Sequence, residues 1–285
     1  MIYLGQQSIR AALFDLDDLL VDSTPSRIVF IFAALEKLGV PYNRGRDRTV
    51  VLSKGDAPGT LGIWDFPGTV LTLSDDALKA LAYPSELIAL RDPQGFMNFG
   101  CDVLRQAMNE SSDEGTVVID GAPELLTFCK NNNVPTGIIS NAAERNIRPL
   151  LQRLGLNDWV DIVFGDNPER RNVDGQVITK SSDSAAAFAI VVEQLHALRP
   201  DLADIQPGEI IYAGDRPSDI AFAHKVGCIA VHVPSIILPT VGSWPENIPA
   251  PNITAPNLHV LRRNFATTSA TLSGGIKTLT NPTVP

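Results

Sequence analysis

Five short apolar runs, Ile9 to Phe14, Val134 to Ile139, Ile162 to Phe164, Glu209 to Ala213 and Cys228 to Val233, each end in small or polar residues. Runs this short and this apolar suit strands buried on both faces of a sheet. Helical patterns separate the later ones, at Pro123 to Asn131, Ala143 to Leu154, Ser182 to Leu198 and Ser218 to Val226. That alternation is the βαβ rhythm of a parallel sheet with helices on both faces. The expected fold class is α/β, with a doubly wound, mostly parallel sheet.

More than 100 residues lie between the first two runs, far beyond the length of a single crossover, so a second unit is inserted there. Ser26 to Leu38 has the pattern of a helix stopped by Gly39 and Pro41. Asp75 to Ala82, Pro84 to Leu90 and Phe96 to Met108 read as shorter helices. Residues 41–70, rich in Gly, Pro, Arg and Asp, read as loops. The expected organisation is a core from residues 1–23 and 116–240, a helical cap over 24–115, and a partly ordered C-terminal extension over 241–285, where Pro, Asn, Thr and Ser replace periodic apolar residues.

At 285 residues and 44% hydrophobic, the chain can bury a large core. Its formal charge of −9 argues against a general nucleic-acid surface, which needs a basic stripe. Cys101, Cys129 and Cys228 are odd in number and widely spaced, as reduced thiols would be. The N-terminus lacks a basic region followed by an apolar one, and no later segment is long and apolar enough to cross a membrane. The expectation is a cytoplasmic protein with neither nucleic acid nor membrane as partner. The sequence carries no signal of oligomeric state.

The first run delivers Asp15 and Asp17 at its carboxyl end, where ligands of parallel α/β sheets bind. Strand alternation turns both carboxylates the same way. One could attack while the other carries a proton, although a strand entering an acidic turn shows the same residues. Asp215 follows the fourth run, and Asp219 falls in the first turn of the next helix. Short-loop oxygen ligands suit Mg²⁺, and Asp219 equally suits a helix dipole. Ser140 and Asn141 close the second run, placed either to hold a phosphate oxygen or to cap a helix. Lys180 precedes a helix opened by Ser181, Ser182 and Asp183, where its charge could neutralise an anion or simply be solvated.

Together, in this order, these segments resemble the haloacid dehalogenase-like hydrolase superfamily. Asp15-Leu16-Asp17-Asp18-Leu19 stands for its first motif, Ser140 for its second, Lys180 for its third, and Gly214, Asp215 and Asp219 for its fourth. The resemblance implies a Rossmann-like core with a cap over the site and Asp15 as the nucleophile that forms an aspartyl-phosphate. It further implies Asp17 as general acid and base. Mg²⁺ would be held by Asp15, the backbone carbonyl of Asp17, Asp215, and Asp219 directly or through water. Ser140, Asn141 and Lys180 would bind the phosphoryl group. The implied activity is Mg²⁺-dependent hydrolysis of a small phosphorylated metabolite, of sugar phosphate or phospho-acid type. Alternatives on the same residues are a phosphomutase, or a non-catalytic binding module.

Asp18 and Leu19 stand where the family has Gly and Thr, and Ser181 stands where a proline commonly follows the lysine. Aspartate is among the residues that tolerate a left-handed backbone, so the turn can survive at Asp18. Arg44, Arg46, Arg48 and Lys54 form the densest basic stretch, either a second anion contact or a solvated loop. His196, His224, His232 and His259 lack metal-ligand spacing and receive no role.

Overall fold

The computed structural model describes residues 2–23, 115–235 and 244–266. The expected cap helices and loops, with Arg44, Arg46, Arg48, Lys54 and Cys101, lie outside the described residues.

A hairpin of β1 (Ile2–Leu4) and β2 (Gln7–Ile9) leads into β3 (Ala11–Phe14), which lies mid-sheet. Next, β4 (Val21–Asp22) pairs antiparallel with β5 (Val117–Val118), so the chain leaves the core beside the point where it returns. Then follow α1 (Ala122–Asn131), β6 (Thr136–Ala143), α2 (Glu144–Arg153), β7 (Ile162–Asp166) and α3 (Ser184–Leu198). The chain continues through β8 (Ile210–Gly214), α4 (Pro217–Val226), β9 (Ile229–His232), β10 (Ile253–Thr254), α5 (Leu258–Asn264) and β11 (Phe265–Ala266). The main sheet has the order β10-β9-β8-β3-β6-β7, and every pairing in it is parallel.

Strand alternation sorts the core into two layers. Ala12, Phe14, Ile138, Val163, Ile211 and Val231 pack with Leu125 and Leu126 of α1, Ile147 and Leu151 of α2, and Leu258 and Leu261 of α5. Leu13, Ile139, Phe164, Ile210 and Tyr212 face the other way, against Ala187, Val191 and Leu195 of α3 and Ile220 and Phe222 of α4. The sheet is doubly wound, as its apolar runs imply. Cys129 and Cys228 are buried free thiols, each pushed up to about 12 by burial and so held un-ionised.

Beyond Val233 the apolar pattern carries no strand, yet residues 244–266 add the sixth strand and a helix to the core. Two residues of β10 are too few to show periodicity, and their placement rests on pairing with β9. Asn252 prepares that edge, its Oδ1 accepting from Ala230 N at 2.7 Å. Helix α5 then packs on α1, tightly enough that a Cβ on Gly121 would stand 3.1 Å from His259 N. Gly121 also has φ 88°, so both space and backbone call for glycine.

Candidate active site

Parallel pairing places the ends of β3, β6 and β8 side by side, and the residues that follow them meet there. Asp15 N donates to Ala213 O at 2.8 Å, which continues the β3–β8 ladder one residue past the strand. Asp15 and Asp215 are both buried. Asp219 joins them from the first turn of α4, its Oδ2 accepting from Arg216 N at 2.9 Å. Gly214 makes that approach possible, because a Cβ there would lie 2.2 Å from the Asp219 Cβ. The carboxylates of Asp15, Asp215 and Asp219 each present an oxygen within 4.8 Å of the others.

Lys180 reaches this cluster from the loop before α3. Its Nζ lies 2.8 Å from Asp15 Oδ1 and 2.5 Å from Asp219 Oδ1, and the residue is only 5% exposed. Where the family has proline after this lysine, polar contacts hold the turn instead. Thr179 N donates to Ser182 Oγ, Ser182 N donates to Thr179 Oγ1, and Ser184 Oγ donates to Lys180 O. Asp183, the residue before α3, accepts from Ala186 N and starts the helix.

Three carboxylates against one ammonium leave excess negative charge in a buried place. Burial, against the pull of Lys180 and helped by Asp219 and Asp17, leaves Asp15 raised to about 6. Burial disfavours the charge on Lys180, but Asp15 and Asp219 outweigh it and hold the ammonium well above its ordinary value. A divalent cation would relieve the excess, and an all-oxygen donor set suits a hard one. The residues present therefore fit a metal of that type.

Strand β6 runs through Ser140 and Asn141 to Ala143, further than the apolar run predicts. Ser140 is buried and its Oγ accepts from Ala142 N at 3.0 Å, so the hydroxyl keeps its hydrogen for donation. Asn141 is exposed, with Oδ1 accepting from Ser181 Oγ at 3.1 Å. That contact ties the end of β6 to the lysine loop.

Asp17 is half-buried in the turn after β3, near enough to act on Asp15. The turn closes through Asp18 N to Val21 O and through Leu20 N and Val21 N to Leu16 O. Asp18, where the family has glycine, takes φ 64°, a left-handed backbone that aspartate tolerates. It is buried, and with Leu19, Ile119, Val233, Leu258 and His259 it lines a cavity of about 140 Å³. Leu19, in place of threonine, is buried in the first core layer.

Two residues at the site escape a reading by sequence. His232, given no role above, is buried with Nε2 3.2 Å from the backbone oxygen of Asp215. Tyr212 lies under Lys180, whose Nζ is 5.1 Å from its ring centroid, and its hydroxyl donates to Ile139 O at 3.0 Å. The only signal for either is a polar tip on an otherwise apolar strand.

A family model for haloacid dehalogenase-like hydrolases matches residues 9–227. The chain belongs to the haloacid dehalogenase-like hydrolase family. It is 26% identical over 231 residues to a phosphoglycolate phosphatase of Chromobacterium violaceum, covering 81% of this chain and 87% of that one. It is 23% identical over 238 residues to the phosphoglycolate phosphatase of Escherichia coli, covering 79% and 81% respectively. Among solved structures it resembles Protein Tyrosine Kinase A of Mycobacterium tuberculosis, with a TM-score of 0.58 and 18% identity over 90% of this chain and 97% of that one. CbbY of Rhodobacter sphaeroides, solved with phosphate, gives 0.53 and 13% identity over 89% and 96%. These structural likenesses bear on the fold alone. No helix among the described residues is long and apolar enough to cross a membrane.

Proposed function

We propose that this hydrolase is a Mg²⁺-dependent phosphatase that cleaves a phosphate monoester of a small metabolite. The observation that carries the reading is the buried ammonium of Lys180 bridging Asp15 and Asp219, with Asp215 in the same cluster. Mg²⁺ bound there would be held by Asp15, Asp215 and the backbone carbonyl of Asp17, and would screen the carboxylates from a phosphate dianion. Both oxygens of Asp219 already accept hydrogen bonds, from Lys180 and from Arg216 N, which favours Asp219 acting through water.

Asp15 attacks phosphorus and takes the phosphoryl group as an aspartyl-phosphate, while Asp17 gives a proton to the leaving oxygen. Asp17 then accepts a proton from the water that attacks the aspartyl-phosphate, which releases phosphate and restores Asp15. Lys180 neutralises charge on the transferring group, and the Ser140 hydroxyl and the Asn141 amide donate to its oxygens. Both chain crossings between the core and residues 24–115 run through the β4–β5 pair beside Asp17, which supports a cap over the site, excluding water and reading the substrate.

The relatives' names make 2-phosphoglycolate the first compound to assay, within a panel of sugar phosphates and phospho-acids. Phosphate release that requires Mg²⁺ and disappears in Asp15→Asn is the expected result. A panel without turnover, or undiminished turnover in that variant, would overturn the reading. Isomerised phosphates in place of free phosphate would instead identify a mutase.

A further inference from the structure

Where the site begins, strand β6 has parted from β3, and its pairing with β7 is interrupted between Ile139–Phe164 and Ala143–Asp166. Its ladder with β3 ends at the pair Phe14 and Ile138, and its ladder with β7 shifts register after Ile139. Ile139 is the residue before Ser140 and the last of β6 paired with β7 before the interruption, so a further bond there steadies the backbone that aims this hydroxyl. Tyr212 provides it from two strands away. Its side chain passes beneath β3, in the layer of Leu13 and Ile139, and donates to Ile139 O at 3.0 Å. The ring carries Lys180 Nζ on its face at 5.1 Å, and Phe222 packs against it at a tilt, with centroids 4.8 Å apart. Tyr212 is fully buried, so no substrate atom touches it.

We infer that Tyr212 is a positioning residue for phosphoryl binding, fixing the Ser140 strand end through its hydroxyl and Lys180 through its ring; this rests on the phosphatase reading. The two groups of the site that would grip phosphate from different loops are thereby referred to one rigid side chain in the core. Asp15 and Asp215 are also placed by their strand ends and Asp219 by Arg216 N, and the Lys180 bridge to Asp15 and Asp219 stays in reach while the ring remains. Losing the hydroxyl should therefore loosen the hold on the anion and leave the metal alone.

Tyr212→Phe keeps the ring over Lys180 and removes the hydroxyl, with its bond to Ile139 O and its own interaction with the Lys180 side chain. Calorimetry with inorganic phosphate and with Mg²⁺, and steady-state kinetics on an aryl phosphate, read the two sides of the site separately. The expected result is phosphate affinity weakened about tenfold, with KM rising in step, kcat changing less, and Mg²⁺ affinity unchanged, the size set by a buried carbonyl left without its donor. Phe222→Leu, which alters the packing of the ring but neither its hydroxyl nor Lys180, should lower the melting temperature without weakening phosphate binding. Unchanged phosphate affinity in Tyr212→Phe, or an equal loss in Phe222→Leu, would overturn the inference. Wild-type protein that binds phosphate yet turns over no ester would overturn the phosphatase reading alone, and the tenfold difference should persist. Wild-type protein that binds no phosphate would overturn both.

Discussion

Replacing Asp15 by asparagine should make the metal-free protein more stable while removing its activity. The side chain keeps its size and still offers Lys180 an oxygen, but the excess charge of the buried cluster falls by one. An ordinary aspartate ionises near 3.8, and here burial, with Asp219 and Asp17, raises Asp15 to about 6 against the pull of Lys180. Between those values the folded chain keeps a proton that the unfolded chain has lost. Metal-free stability therefore falls as pH climbs from about 4 to about 6 and is level above that, in its Asp15 contribution. The full difference corresponds to a ceiling of ~3 kcal/mol above about pH 6. The pull of Lys180 is already contained in that value, and the imperfect match between an amide and a protonated carboxyl offsets part of the ceiling, leaving on the order of 1–2 kcal/mol, or roughly 2–8 °C in melting temperature. Differential scanning calorimetry of both proteins in a chelator, at about pH 4.5 and about pH 7.5, reads this directly. The variant should gain on the wild type as pH rises. Added Mg²⁺ should reverse the ranking, because a ligand at a hundred times its Kd stabilises the wild type by about 2.7 kcal/mol and the variant by less. A variant that melts lower than wild type in chelator at the higher pH, or a pH-independent gap, would refute the charge-excess argument.

Three further outcomes follow from the same geometry. Lys180→Met leaves three buried carboxylates without their cation, so it should destabilise the metal-free fold by about 3 kcal/mol or more, and Mg²⁺ should restore part of the loss; unchanged chemical denaturation would contradict the buried bridge. Gly214→Ala drives a methyl group into Asp219, whose Cβ lies 2.2 Å from where it would stand; Mg²⁺ affinity should fall at least tenfold, and calorimetric titration of a variant with full affinity would show that the contact yields. At Asp18, with φ 64°, Asp18→Gly should melt above Asp18→Ala by an amount equivalent to about 1 kcal/mol; equal melting temperatures would mean that the turn does not enforce its backbone.

Much of the fold is legible because burial writes itself into short patterns. The strands β3, β6, β7, β8 and β9 all fall within or overlap apolar runs visible in the chain, since a strand covered on both faces must be apolar throughout. Strand β10 is invisible for the opposite reason: two residues hold their place through pairing with β9 and a side-chain bond from Asn252, neither of which has a periodicity. Asp15, Asp215, Asp219 and Lys180 are legible as a group by their order at strand ends. Tyr212 and His232 are not, because each looks like ordinary strand filling until its polar tip is seen to reach a backbone oxygen of another strand or loop.

By itself the sequence determined the order of the five central strands and of the four core helices that follow the insertion, the long insertion after the first of those strands, and which polar residues would stand at the carboxyl edge, because local periodicity and strand-end position are properties of neighbours along the chain. Only the tertiary structure decided that Lys180 crosses to Asp15 and Asp219, that Gly214 admits Asp219, and that Tyr212 anchors the strand end beneath Ser140. Those contacts join residues far apart in sequence, and their energies depend on distance, burial and the loss of water around them, quantities that exist only once the sheet has assembled.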